Sequence, residues 1–373
     1  MNRPIAYWIA TGVFAALVLS KFSPQTGFTS LIRFGGTWQE RRHSAVQGLP
    51  LATVPASNGY DGQFYAQVAL DPLLRSPELA QALDAPNYRA RRILTPAVAA
   101  LFGLGDPWWT LQAYALFNVL SWLLFAWFLH RHIGGSDWIA FARWVGCMFS
   151  LGVLDSVRQS LVDLPALLLM ALAVGVSAKP HLTRSVFWLA LANLTKETSL
   201  LGTLALHCDR SFRPFPWRRV GLGLVVAILP LTLWSLYVQH RFAQVAGNTG
   251  VGNFSWPLVG LLTQAKYSLR ELSHGNLDSR YSFSLVALVG FFVQTWVLWR
   301  TPQLSSPWWR IGAVYSFLLL FLGSWVWSGY WAVCRAVLPM TIAFNLLLPV
   351  NRAFWPHWIL GNLTVLHALW RFL

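Results

Sequence analysis

The stretch Tyr60-Asp61-Gly62-Gln63-Phe64-Tyr65 is an acid-bearing polar knot in a chain poor in acids, with 13 Asp plus Glu among 373 residues. A carboxylate beside a glycine and flanked by aromatics, just after a hydrophobic segment, suits proton abstraction from a hydroxyl, so Asp61 is the candidate general base. A local role competes with it. Asp61 precedes a short helix, and its carboxylate is able to cap backbone N–H groups there. Position 64 is Phe, so the reciprocal capping-box partner is missing. Tyr60, Gln63 and Tyr65 are supporting candidates, although the aromatics also read as packing or interface residues. Gly62 reads as easing a tight turn.

Cations follow. Arg89, Arg91 and Arg92 precede Ile93-Leu94-Thr95-Pro96. A guanidinium presents a planar fork of donors that matches phosphate oxygens. Contact with lipid headgroups is the plainer account, and one or two of the three are expected to point inward. Lys196 and Glu197 lie at the middle of the apolar run 185–207, and Arg335 lies four residues past Trp331, about 6 Å along a helix at 1.5 Å per residue. Charges at such depth mark a functional site by default. Lys196 and Arg335 therefore join the arginines as phosphate-binding candidates, with Asp163 and Glu197 as support. The structural alternative is a pair of buried ion pairs, Asp163–Lys196 and Glu197–Arg335. Asp155 reads as a turn residue and Arg158 as an interface anchor.

The elements that must hold these residues are membrane helices. The chain is 55% hydrophobic and 11% charged, against about 25% charged in soluble domains, and its mean hydropathy is +0.48. Its apolar runs approach the ~20 residues of a bilayer-crossing helix and lack the alternation of a barrel. The expected fold is an all-α polytopic membrane protein, one membrane-embedded domain over 1–373 with about 9–11 spans. The net charge of +15 sits in short clusters between apolar runs. That suits topology control and phosphate binding, and it excludes a nucleic-acid face. The 22 Trp suit belts at the two interfaces. Cys147, Cys208 and Cys334 lie far apart, with neither metal-ligand spacing nor a disulfide framework. Arg3 and the apolar core Ile5 to Leu19, without a small-x-small cleavage site, read as an uncleaved first span.

Loop charge orders the spans. With Arg3 inside, His130-Arg131-His132 and Lys179 to Arg184 are inside too. Arg210, Arg213, Arg218 and Arg219 join them only if 185–207 enters and returns, which predicts a re-entrant or broken segment with Thr195-Lys196-Glu197-Thr198 at its tip. A single unbroken span is the alternative. Two long outer loops result, 21–109 and 239–280. The first is expected to carry a short helix from Phe64 to Leu70, stopped by Asp71-Pro72, and a turn at Asp84-Ala85-Pro86-Asn87. In the second, Gly247 to Gly252 reads as flexible. Leu258, Leu261, Leu262, Ala265, Leu269 and Leu272 form one face of a surface helix, with Lys266 and Arg270 toward headgroups.

Asn58-Gly59-Tyr60-Asp61-Gly62-Gln63-Phe64-Tyr65, Ala69-Leu70-Asp71-Pro72, Tyr88-Arg89-Ala90-Arg91-Arg92-Ile93-Leu94-Thr95-Pro96 and Leu194-Thr195-Lys196-Glu197-Thr198 together resemble a pattern in bacterial multi-span proteins of the GT-C class of glycosyltransferases. The order of elements is similar as well: one span, a long outer loop, then a bundle. The resemblance implies transfer of a sugar from a polyprenyl-phosphate donor to a glycan or lipid acceptor, on the periplasmic face of a bacterial inner membrane. Asp61 would be the base and the cations would hold the departing phosphate, with inversion at the sugar. The chain departs from the paired-acid form of part of the class, because Gly62 and Gln63 follow Asp61. A divalent metal is thus not supported by a second acid nearby. A flippase or transporter for a lipid-linked glycan, or a non-catalytic assembly protein, is the competing expectation. The absence of a visible internal repeat weighs against transport.

Overall fold

The computed structural model describes residues 3–135, 137–177, 182–206, 217–245 and 250–373. Lys179, Cys208, Arg210, Arg213 and residues 247–249 of the Gly247 to Gly252 stretch lie outside them. The chain begins with α1 (Arg3–Leu19) and continues into a long loop that holds β1 (Phe34–Gly35), β2 (Thr53–Val54), α2 (Gly62–Leu70), α3 (Leu79–Ala82), α4 (Pro86–Arg89) and α5 (Leu94–Gly103). The two strands form one short parallel pair. Buried amides knit this loop. Gln63 accepts from Gly35 N at 3.0 Å and donates to Asn58 O at 2.6 Å, and Gln67 joins His43 N to Ala82 O. A polar side chain that answers buried backbone groups is the condition for burying a loop at all.

The helical body follows: α6 (Pro107–Ile133), α7 (Trp138–Met148), α8 (Leu151–Arg158), α9 (Asp163–Ser177), α10 (Leu182–Thr195), α11 (Trp217–Arg241), α12 (Val259–Ser273), α13 (Ser279–Arg300), α14 (Pro307–Phe321), α15 (Ser324–Trp327), α16 (Tyr330–Ala336), α17 (Leu338–Leu347), α18 (Phe354–Gly361) and α19 (Thr364–Phe372). Asp106, Asp137, Asp278 and Ser306 each cap the helix they precede, which satisfies a first-turn N–H. Among the described residues, Pro107–Ile133, Gly221–Arg241 and Ser279–Arg300 are long and apolar enough to cross a membrane. The pairs α7–α8, bent by 46°, and α16–α17, bent by 64°, raise the number to five. On α11, Leu222, Val225, Leu229, Leu233 and Leu236 share one face and are exposed. A face that apolar, turned away from protein, fits lipid.

Indoles stitch the interior. Phe14 stacks on Trp122 at 3.7 Å. The Trp122 and Trp144 N–H groups donate to the Met148 and Ala126 carbonyls, each at 3.0 Å, so no buried indole donor is stranded there.

Two features position the site. Helix α10 stops at Lys196, and a 3₁₀ segment runs from Glu197 to Leu206. A Cβ at Gly202 would lie 3.2 Å from Leu189 Cδ2, whereas residues that far apart along a straight helix stand about 20 Å apart. The chain therefore doubles back at Lys196. Second, residues 253–258 run along the end of α14. Gly323 N donates to Asn253 O at 2.7 Å, Ser255 N to Phe321 O at 2.9 Å and Leu258 N to Leu320 O at 2.7 Å. Helix α12 then packs inward with Gly260, Gln264 and Ser268 and leaves Leu262 and Leu269 exposed.

Candidate functional site

Between the first loop and the broken hairpin lies a cavity of about 570 Å³. Its lining carries the polar and charged Tyr60, Asp61, Asp84, Arg89, Arg91, Arg92, Asp163, Lys196, Glu197 and Arg335, together with the apolar Val251, Phe254, Leu318, Leu322, Trp325 and Val326.

Asp61 is the residue before α2, yet its side chain caps nothing. Its Oδ1 instead accepts from Arg89 Nη2 at 2.8 Å, and its Oδ2 has no partner among the described residues. The backbone fixes the placement. Tyr60 N donates to Arg33 O at 3.1 Å, and the Asp61 carbonyl accepts from Phe64 N. The turn into this segment is made by Gly59, at φ +69°, and not by Gly62. Gly62 serves close approach: a Cβ there would lie 2.1 Å from the Gln159 carbonyl oxygen. The start of α2 is thereby seated on the end of α8. Burial pushes the Asp61 carboxyl up, but Arg89, Arg335 and Arg92 outweigh it and hold the group below its ordinary value.

Arg89 is a hub. It donates to Asp61, to both oxygens of Asp84 at 2.8 Å each, and to Tyr65 Oη at 3.2 Å. Burial disfavours its charge, and Asp61, Tyr65 and Asp84 more than restore it. Asp84 corrects the expectation that no second acid stands near Asp61: the two carboxylates share one guanidinium nitrogen. Sequence spacing hides this, because 23 residues separate them and the loop brings them together.

Arg92 makes a two-pronged contact with Glu197 at 2.7 and 2.9 Å, and also donates to Tyr65 Oη at 2.6 Å and to Tyr88 Oη. The expected Glu197–Arg335 pair is therefore not formed. The break at Lys196 turns Glu197 toward the loop, while Arg335 faces α9. Arg91 also lines the cavity. Tyr65 is buried and does not line it. Its hydroxyl is a common acceptor for Arg89 and Arg92, and burial raises it to about 12 against the opposing pull of both arginines. Gln63 is likewise outside the cavity, committed to Gly35 and Asn58.

On the helical side, Asp163 holds Lys196 at 2.7 Å and Arg335 at 3.1 Å. Arg335 also donates to Tyr60 Oη at 2.6 Å, which in turn accepts from the Trp331 indole at 2.9 Å. Asp155 is not a turn residue. It is buried within α8 and faces Arg335 Nε at 3.4 Å and Arg371 Nε at 3.1 Å. Its role was invisible in sequence because Arg371 approaches from the far end of the chain.

Five cations face four carboxylates in the cavity wall, which leaves one positive charge in excess. Among the described residues no cluster of three His, Cys, Asp or Glu side chains is placed to hold a metal ion. Comparison of the chain with models of protein families, with curated proteins and with solved structures finds no match.

Proposed function

We propose that the chain is a membrane glycosyltransferase of the GT-C kind, with about 9–11 spans, working at the periplasmic face of a bacterial inner membrane. It moves a sugar from a polyprenyl-phosphate donor to a glycan or lipid acceptor. The observation that carries this reading is the mixed lining of the cavity: a carboxylate with one uncommitted oxygen stands among arginines and a lysine, in the same cavity as the apolar Val251, Phe254, Leu322 and Trp325. A phosphodiester on a hydrocarbon chain needs both kinds of lining. Its single negative charge also matches the single excess cation.

In this reading the acceptor oxygen attacks the anomeric carbon, the bond from that carbon to the phosphate oxygen breaks, and Asp61 Oδ2 takes the acceptor proton. The departing phosphomonoester gains negative charge. Arg91, Lys196 and Arg335 in the cavity wall are fixed cations available to that charge, and they require no reorganisation to meet it. One base and one leaving group give a direct displacement with inversion.

The test is Asp61→Asn in purified protein supplied with a panel of labelled polyprenyl-phosphate sugars and an acceptor lysate. The expected loss is about 10²–10⁴-fold, the usual contribution of a positioned base, at unchanged yield and folding. Transfer at the wild-type rate would sink the base assignment. A wild-type protein inert with every donor would favour the flippase or assembly reading.

A further inference from the structure

A second cluster of cations lies behind the cavity, where Lys21 follows α1, Arg33 sits in the first loop, Arg158 ends α8 and Arg371 lies in α19. These groups are close enough that the charges of Arg158 and Arg33 both oppose that of Lys21, after the larger effect of its own burial. Arg33 is likewise depressed by burial first and then by Arg371, with Asp155 opposing. The carboxylate that faces them is Asp155, which already serves Arg335 and Arg371. Lys21 is satisfied by Leu373 O at 2.7 Å, and Arg371 also stacks over Trp331 at 4.2 Å. Arg33 and Arg158 have no side-chain acceptor among the described residues, and Arg158 Nη1 is buried without one. Half-buried guanidinium groups with no acceptor are costly unless an anion completes them.

The rim of the cluster says what kind of anion. On α19, Leu366 and Trp370 share one face and are exposed, as are Leu373 just past its end and Phe22 and Leu19 beside Lys21. An apolar, indole-bearing edge next to unsatisfied arginines is the composition of a headgroup-level contact. We propose that Arg33, Arg158 and Arg371 bind the phosphate of an anionic membrane lipid whose chains lie against Phe22, Leu366 and Trp370, at a site separate from the cavity. This inference does not rest on the glycosyltransferase reading.

The experiment is thermal unfolding of the full chain in neutral detergent, titrated with phosphatidylglycerol, phosphatidylcholine or inorganic phosphate. Phosphatidylglycerol should raise the melting temperature saturably, and the other two should not at equal phosphate. Arg158→Gln and Arg33→Gln should each weaken the apparent affinity for phosphatidylglycerol about tenfold, the scale of one lost charge-assisted hydrogen bond. Arg33 is a loop residue, so its variant carries the test if Arg158→Gln fails to fold. Three results would overturn the proposal: no response to phosphatidylglycerol, variants that titrate like the wild type, or inorganic phosphate stabilising as strongly as the lipid.

Discussion

Gly62→Ala tests whether the seat of α2 on α8 sets the position of Asp61. A Cβ at position 62 would lie 2.1 Å from the Gln159 carbonyl oxygen and 3.0 Å from the Ile32 carbonyl oxygen. Carbon and oxygen settle at about 3.3 Å or more, so the start of α2 must retreat by about 1 Å. Both obstacles are backbone, so no flexible side chain yields instead. Asp61 is the adjacent residue and moves with the helix start. Displacing a catalytic group by about 1 Å costs on the order of 100-fold, and the overpacking itself costs about 1–3 kcal/mol of stability. The assay is kcat/KM for transfer beside thermal unfolding, with Gly12→Ala as control, since a Cβ on that exposed helical glycine meets nothing within 4 Å. A folded Gly62→Ala protein that transfers at the wild-type rate would refute the link between this contact and the base.

Two further substitutions probe the ion pairs. Arg89→Gln removes the main partner of Asp61. In the wild type that carboxyl is held below its ordinary value, so the proposed base stays ionised through the usual carboxylate range. Its contribution to stability is present above the unfolded value and is lost as pH falls through the depressed one. In the variant, burial is opposed by Arg335 and Arg92 alone among the main influences, and the acid limb of the pH–rate profile should move upward; an unmoved limb contradicts the pairing argument. Asp155→Asn leaves Arg335 and Arg371 without their shared carboxylate. Because that carboxylate is fully buried, the expected cost is about 3–5 kcal/mol by thermal or denaturant unfolding, and a loss under about 1 kcal/mol would show the network to be dispensable.

The membrane class was legible because hydropathy is a bulk property of each run. The helix of the first loop was legible from Phe64 to Leu70 because Asp71-Pro72 ends it, and the observed helix starts two residues earlier, at Gly62. The break at Lys196 was legible because a lysine and a glutamate cannot sit mid-span without a reason. Partnership was not legible. Arg92 and Glu197 meet across 105 residues, and Arg371 and Asp155 across 216. Helical phase states which face a charge occupies, not which neighbour fills that face. Gln63 illustrates the same limit from the other side: its place in the acidic knot suggested chemistry, and only the path of the loop past Gly35 and Asn58 shows its amide spent on backbone.

The apolar lining of the cavity is hung on main-chain bonds between residues 253–258 and 320–323. Main-chain pairing is indifferent to side-chain identity, whereas the charged lining depends on each charge meeting its partner. Phe254 and Trp325, which are exposed, are therefore open to exchange for larger or smaller residues without disturbing Asp61 or its arginines. If the cavity holds the proposed lipid-linked donor, substitutions at these two positions should change which hydrocarbon chains it accepts while the ionic side stays as it is.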